Sequence, residues 1–206
     1  MAPKLNLLAF DLGASNGRAI VGQYDGERLN LIEVHKFPNG PQNVHGHIYW
    51  NILDLFAQIK TGLVKACAAV DGKIDCMAID TWGVDYGLLD ANDSLLANPY
   101  HYRDKRTDGL LDEIFAKISA EEIYANTGIQ FMQINTLVQL YAERRWRPWV
   151  LDNARSMLFI PDLLNFFLTG QKYNEYTISS TSQLLNPTTF AWVERIFKVL
   201  DVPIDL

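Results

Sequence analysis

The chain has 206 residues, 49% hydrophobic and 20% charged, enough to bury a substantial core and with no long polar tract to remain unfolded. Its 18 Lys and Arg stand against 24 Asp and Glu, a formal net charge of −6, so no overall positive field exists to hold a nucleic-acid backbone. No run approaches the roughly 20 continuous apolar residues of a membrane helix, and the start MAPKLNLLAFDLG lacks a signal peptide's cleavage region, so a cytoplasmic location is expected.

Leu5 to Asp11 reads as a buried strand, Arg18 to Tyr24 as a second and Arg28 to Phe37 as a third, the last two joined at Asp25-Gly26. The chain therefore opens with an antiparallel meander. Residues 38 to 47 are rich in turn formers and read as a mobile loop; His45 and His47 within it have no nearby carboxylate or cysteine to complete a metal site. From Ile52, the residues Leu55, Phe56, Ile59, Leu63, Cys67 and Val70 recur at three- and four-residue spacing behind Asn51, an N-cap, and predict an amphipathic helix. Ile74 to Thr81 looks like a strand buried on both faces, and Tyr86 to Asp90 like another, closed by a turn at residues 91 to 94. Cys67 and Cys76 have neither disulfide-framework nor zinc spacing and are expected as buried, reduced thiols.

Beyond Thr107 the pattern is helical: Thr107 to Ile118 with Thr107 as N-cap, Ala120 to Asn126, Asn135 to Trp146, Asp162 to Leu168 with a stop at Thr169-Gly170, and Phe190 to Leu200. The basic stretch ERRWRPW, Glu143 to Trp149, reads as a helix end with cations near the carbonyl dipole and tryptophans packed below, in preference to a base-stacking surface.

Three stretches carry chemistry. In AFDLGASNGRAIV, Ala9 to Val21, an apolar strand ends at Asp11 and a Gly13-containing turn follows. Glycine lets backbone N–H groups approach a phosphate, a carboxylate suits a Mg²⁺ ion that shares its other positions with water and nucleotide, and Arg18 offers a fork to phosphate oxygens. These pieces suit phosphoryl transfer, although a tight hairpin with a solvated Asp is the plain alternative. In IDTWGVDYGLLD, the residues Thr81, Trp82, Gly83 and Asp85 cluster at a strand end, where carboxylates and backbone groups bind sugar hydroxyls and an aromatic face takes the C–H side. A buried Trp in a capped turn is the alternative there. In PYHYRDKRT, Tyr102, Arg103, Asp104 and Arg106 crowd before a helix, and an Arg–Asp salt bridge that pins the loop competes with any role at a site. Gln130, Gln133 and Asn135 in TGIQFMQINTL either reach a sugar or hold a loop, and SSTSQ at Ser179 to Gln183 lacks the nucleophile elbow of a hydrolase.

The strings DLGASNGR, IDTWGVDYGLLD, YRDKRT, TGIQFMQINTL, PDLLNFFLTG and NEYTISSTSQLLNP together resemble the amino-terminal half of the FGGY carbohydrate kinases, over nearly the whole chain from Leu5. The resemblance implies an α/β ribonuclease-H-like, actin-like ATPase domain: a mixed sheet with a three-stranded antiparallel meander plus parallel strands, flanked by helices. It implies one domain over residues 1 to 206, with the core at about 5 to 90 and a helical substrate-side portion at about 107 to 206. It further implies that Ala14, Ser15, Asn16, Gly17 and Arg18 surround the ATP phosphates, that Asp11 serves Mg²⁺, and that Gly83 touches a ketose beside Thr81, Trp82 and Asp85.

The Thr81 to Asp85 string points within the family to L-rhamnulose, phosphorylated on its 1-hydroxyl, with L-fuculose or L-xylulose as alternative substrates. A second lobe and a general-base Asp preceded by His lie, in the resembling enzymes, beyond the position of Leu206. No residue of this sequence is assigned as base, Asp80, Asp85 and Asp104 being poor stand-ins. The chain is accordingly expected to be half of a two-lobed site, inactive alone and prone to self-association through an uncovered face. A non-catalytic sugar-binding or interaction module is the rival from another class.

Overall fold

The computed structural model describes residues 4–70 and 72–206. Alternation of inward apolar residues forms β1 (Leu5–Leu12), whose Leu8, Phe10 and Leu12 face the core, and β2 (Asn16–Tyr24) and β3 (Leu29–Pro38) complete an antiparallel meander. β2 starts two residues earlier than the sequence predicts, at Asn16. Asp25 Oδ1 accepts from the N–H groups of Glu27 and Arg28 and turns β2 into β3. Inside residues 38 to 47 begins a small hairpin, β4 (Gln42–Val44) against β5 (His47–Tyr49), turning at His45 and Gly46. α1 (Ile52–Ala69) follows, with Asn51 Oδ1 accepting from the Asp54 N–H at 3.3 Å as the N-cap expected of it.

β6 (Cys76–Thr81) runs parallel to β1 and gives the sheet order β3-β2-β1-β6. As the edge strand it is not buried on both faces: Met77 and Ile79 pack on the core, while Cys76, Ala78 and Asp80 are exposed. The expectation of buried thiols fails for the same reason, Cys76 being exposed and Cys67 half-buried. β7 (Tyr86–Leu89) leaves this sheet altogether.

A 3-10 turn at Lys105–Thr107 precedes α2 (Leu110–Phe115), α3 (Ala120–Thr127), α4 (Thr136–Trp146) and α5 (Pro148–Asn153). Thr107 is not the cap of a helix: Asp104 captures the Arg106 N–H at 2.9 Å, Thr107 Oγ1 donates to the Asp104 carbonyl at 3.2 Å, and α2 waits until Gly109 has turned the chain at φ 76°. β8 (Ser156–Phe159) then pairs antiparallel with β7, Tyr86 opposite Phe159, so YGLLD stands in a separate two-stranded ribbon and adds no parallel strand to the main sheet.

α6 (Ile160–Thr169) ends at Gly170, φ 70°, as the predicted stop requires. The remainder is α7 (Tyr176–Ser180), β9 (Leu185–Asn186), β10 (Ala191–Trp192) and α8 (Glu194–Leu200). The last helix starts at Glu194 and not Phe190, because Asn186 Oδ1 takes the N–H groups of Thr188 and Thr189 and Phe190, at φ 57°, turns β9 into β10.

Two buried clusters result. One joins the sheet to α1 and α6 through Phe10, Ile59, Leu163 and Leu164; the other joins the later helices to the ribbon through Ile114, Leu137, Phe159 and Phe197. At the end of α4, Glu143 is buried between Arg106 and Arg147, and Trp146 and Trp149 are 57% and 55% exposed. The tryptophans therefore do not pack beneath that helix end; Ala142, Val150 and Leu151 occupy the inner positions. Among the described residues no helix is long and apolar enough to cross a membrane.

Candidate functional site

β1 and β6 are parallel neighbours, so the turns that follow them emerge at the same end of the sheet: Asp11 is in register with Asp80 and Leu12 with Thr81. This brings the Asp11–Arg18 and Thr81–Asp85 stretches together, as neither spacing alone requires. Asp11 and Asp80 share the face of the sheet opposite to that of Leu12.

The first turn is held by its own backbone. Gly13 N–H donates to the Asn16 carbonyl at 2.9 Å, and Asn39 ties the tip from β3's end, its backbone N–H donating to the Ser15 carbonyl at 3.1 Å and its side-chain amide to the Gly13 carbonyl at 2.8 Å. Ala14 is half-buried, and Ser15 and Asn16 are exposed. Gly17 is buried: a Cβ there would stand 2.2 Å from Phe37 Cζ, so the glycine has a packing reason beside any phosphate role. Arg18 lies opposite Asp11 in the ladder, and its Nη2 donates to Asp11 Oδ2 at 2.5 Å, both side chains being about half exposed at 42% and 45%.

The second turn is held by distant residues. Val84, a β-branched residue, sits at φ 66°, a strained conformation that needs outside support. Thr181 Oγ1 accepts its N–H at 3.2 Å, and its carbonyl accepts from Thr136 Oγ1 at 2.7 Å. Gly83 faces the same threonine, where a Cβ would come within 3.2 Å of Thr181 Oγ1. Thr81, Trp82, Gly83 and Val84 are all half-buried at the surface of the turn.

Asp85 instead points inward and is 1% exposed. Its Oδ2 accepts from Trp50 Nε1 at 2.6 Å, Trp82 Nε1 at 3.0 Å and the Tyr102 N–H at 3.2 Å, and its Oδ1 from Gln139 Nε2 at 2.7 Å. Burial outweighs these donors and raises its carboxyl to about 6. The Trp50 ring stacks on Trp82 at 3.8 Å and on His101 at 4.1 Å. His101 Nδ1 accepts the Arg103 N–H at 3.0 Å; burial first, then the Arg103 charge, lowers its pKa to about 4 and keeps the ring neutral.

Asp104 makes no bridge to arginine. It accepts from Ile48 N–H at 2.6 Å and Arg106 N–H at 2.9 Å and faces His47 Nδ1 at 3.3 Å, while Arg106 pairs with Glu143 at 2.9 Å. Asn135 holds a loop, donating to the Gln130 carbonyl at 2.9 Å and to Gln183 Oε1 at 2.8 Å, and Gln130 and Gln133 are exposed. The sequence reading missed Trp50, Gln139, Thr136 and Thr181. Thr181 stood in a noticed string, SSTSQ, but for another chemistry, and Thr136 stood in TGIQFMQINTL, where only Gln130, Gln133 and Asn135 drew attention.

The family model for the N-terminal domain of the FGGY family of carbohydrate kinases matches residues 6–206. A rhamnulokinase of Halalkalibacterium halodurans is 44% identical over 94% of this chain and 41% of its own length, and one of Bacteroides thetaiotaomicron is 46% identical over 90% and 38%. The chain thus spans about two fifths of these relatives. Gluconate kinase of Lactobacillus acidophilus and glycerol kinase of Plasmodium falciparum with ADP superpose with a TM-score of 0.85 each, at 18% identity, over 98% of this chain and 41% and 42% of theirs, and share its fold. By the match over residues 6–206, the chain belongs to the FGGY family of carbohydrate kinases, as its N-terminal domain.

Proposed function

We propose that this chain supplies the phosphate-facing and sugar-facing turns of an ATP-dependent ketose kinase that transfers the γ-phosphoryl group to the 1-hydroxyl of L-rhamnulose. The observation that carries the reading is the parallel β1–β6 pair, which sets the glycine-containing Asp11–Arg18 turn beside the aromatic, half-buried Thr81–Asp85 turn at one end of the sheet. The rhamnulokinase names of the relatives supply the sugar.

In this reading Ala14, Ser15, Asn16 and Gly17 present backbone to the ATP phosphates and Arg18 adds its guanidinium. Asp11 fits a Mg²⁺ ion held mainly by water and phosphate: its carboxylate is half exposed, Asp80 stands beside it in register, and among the described residues no group of three or more His, Cys, Asp or Glu forms an all-protein cage. Bound there with nucleotide, the ion supplies neutralisation of charge on the β- and γ-phosphate oxygens. Thr81, Trp82 and Gly83 present the ketose with an aromatic face and open backbone. Asp85 and Asp104 have their oxygens engaged by protein donors, so neither is assigned as the base.

Binding is therefore the measurement. Calorimetric titration of this chain is expected to show L-rhamnulose binding in preference to L-fuculose and L-xylulose. Asp11→Ala should weaken Mg-ATP alone, and Gly83→Val should weaken the ketose alone. Equal binding of all three ketoses would overturn the substrate, and loss of both ligands in both variants would overturn the division of labour.

A further inference from the structure

We infer that Asp85 is a positioning residue: it fastens the Trp50–Trp82 pair that walls the sugar side of the site and does not itself touch the sugar. The inference rests on the reading of residues 81 to 83 as the sugar-facing turn. Trp82 is half-buried there, and Trp50, fully buried beneath it, reaches no ligand.

Indoles prefer offset or edge-to-face contact, because their negative faces repel. These two lie nearly parallel, 28° apart, with centroids at 3.8 Å. The cause is visible in their N–H groups, which both converge on Asp85 Oδ2, at 2.6 Å and 3.0 Å. Two rings that aim the same edge at one oxygen are held one above the other. The same oxygen takes the Tyr102 N–H, and Oδ1 takes Gln139 of α4, so one carboxylate joins the β6 turn to three other segments. A carboxylate suits this arrangement, since it accepts on both oxygens and donates nothing. Asparagine would turn an amide N–H₂ toward either the indole N–H groups or Gln139, whose Oε1 already accepts from Arg106 Nη2 at 3.2 Å.

No lysine or arginine among the described residues pairs with Asp85. It is a buried carboxylate satisfied only by neutral donors, and the burial that raises its carboxyl to about 6 shows that keeping it ionised is costly. What the cost secures is acceptor capacity for four donors at one point.

The test compares wild-type chain with Asp85→Asn. Stacked indoles give an exciton couplet in circular dichroism, which is expected in the wild type and lost in the variant. L-Rhamnulose affinity should fall about tenfold with Mg-ATP affinity unchanged. An intact couplet with unchanged sugar affinity would overturn the inference. So would an intact couplet with lost sugar affinity, which makes Asp85 a direct sugar ligand and leaves the sugar-facing turn standing. Wild-type chain that binds no ketose would instead sink the functional reading, while the couplet would still decide the tether. Should the variant not fold, indole hydrogen exchange in the wild type decides it: Trp82 Nε1–H is expected to be protected like that of Trp50 although Trp82 is only half-buried, and free exchange at Trp82 would refute the tether.

Discussion

The two turns at the end of the sheet stand side by side and are held in opposite ways. The Asp11–Arg18 turn is closed by bonds within seven residues plus Asn39, and its ion pair is about half in water. The Thr81–Asp85 turn draws its support from Trp50, Tyr102, Thr136, Gln139 and Thr181, and its carboxylate is buried. Surface charges in high dielectric stabilise a fold little and stay free to meet a ligand, whereas a buried acceptor is indispensable to the donors aimed at it. On the proposed reading, stability and recognition are therefore separable in the first turn and fused in the second.

Three measurements would break or sharpen that contrast. The largest effect is expected for Asp85→Ala, which leaves two indole N–H groups and a backbone N–H without their acceptor, takes one acceptor from the Gln139 amide, and should destabilise the chain by about 4 kcal/mol in urea denaturation. A loss below about 1 kcal/mol would dissolve the distinction between the turns.

Next is His101, whose pKa falls from 6.5 to about 4 on folding, so the folded state binds fewer protons than the unfolded one across that window. Its contribution is present above pH 6.5 and is lost as the pH drops toward 4, by about 3 kcal/mol in full. Asp85 and Asp162, both raised to about 6, act in the opposite sense, so the quantity to measure is the difference between wild type and His101→Asn, whose Oδ1 is the acceptor closest in position to Nδ1 for the Arg103 N–H. The wild type should lose stability relative to the variant between pH 7 and pH 4, and parallel curves would refute the neutral ring. Smallest is Arg18→Ala, expected to change stability by less than about 0.5 kcal/mol while weakening Mg-ATP, read by denaturation and by nucleotide titration.

Legibility followed the same division. The meander, α1 with its Asn51 cap and the Gly170 stop rest on neighbours in sequence, and periodicity with cap chemistry was enough to find them. The Gly13-containing turn between β1 and β2 was legible as a turn because all its bonds but Asn39's are local. Failures lie where a distant partner decides. Nothing within YGLLD says that its partner is Ser156 to Phe159, and an apolar run does not reveal that β6 is an edge with Cys76 and Asp80 in the open. Thr107 has the right chemistry for a cap, but Asp104 three residues earlier takes that role for a 3-10 turn. Trp50 carried no signal at all, since its role exists only through Asp85, 35 residues away.

The Thr181 support of Val84 closes a separation of 97 residues. During vectorial synthesis the first turn has every partner it needs once Asn39 has left the ribosome, and the meander can lock around it. The second turn must wait for Thr181, because a β-branched residue at φ 66° does not hold its shape unaided. On the proposed reading, a nascent chain therefore completes its phosphate-facing turn long before its sugar-facing one.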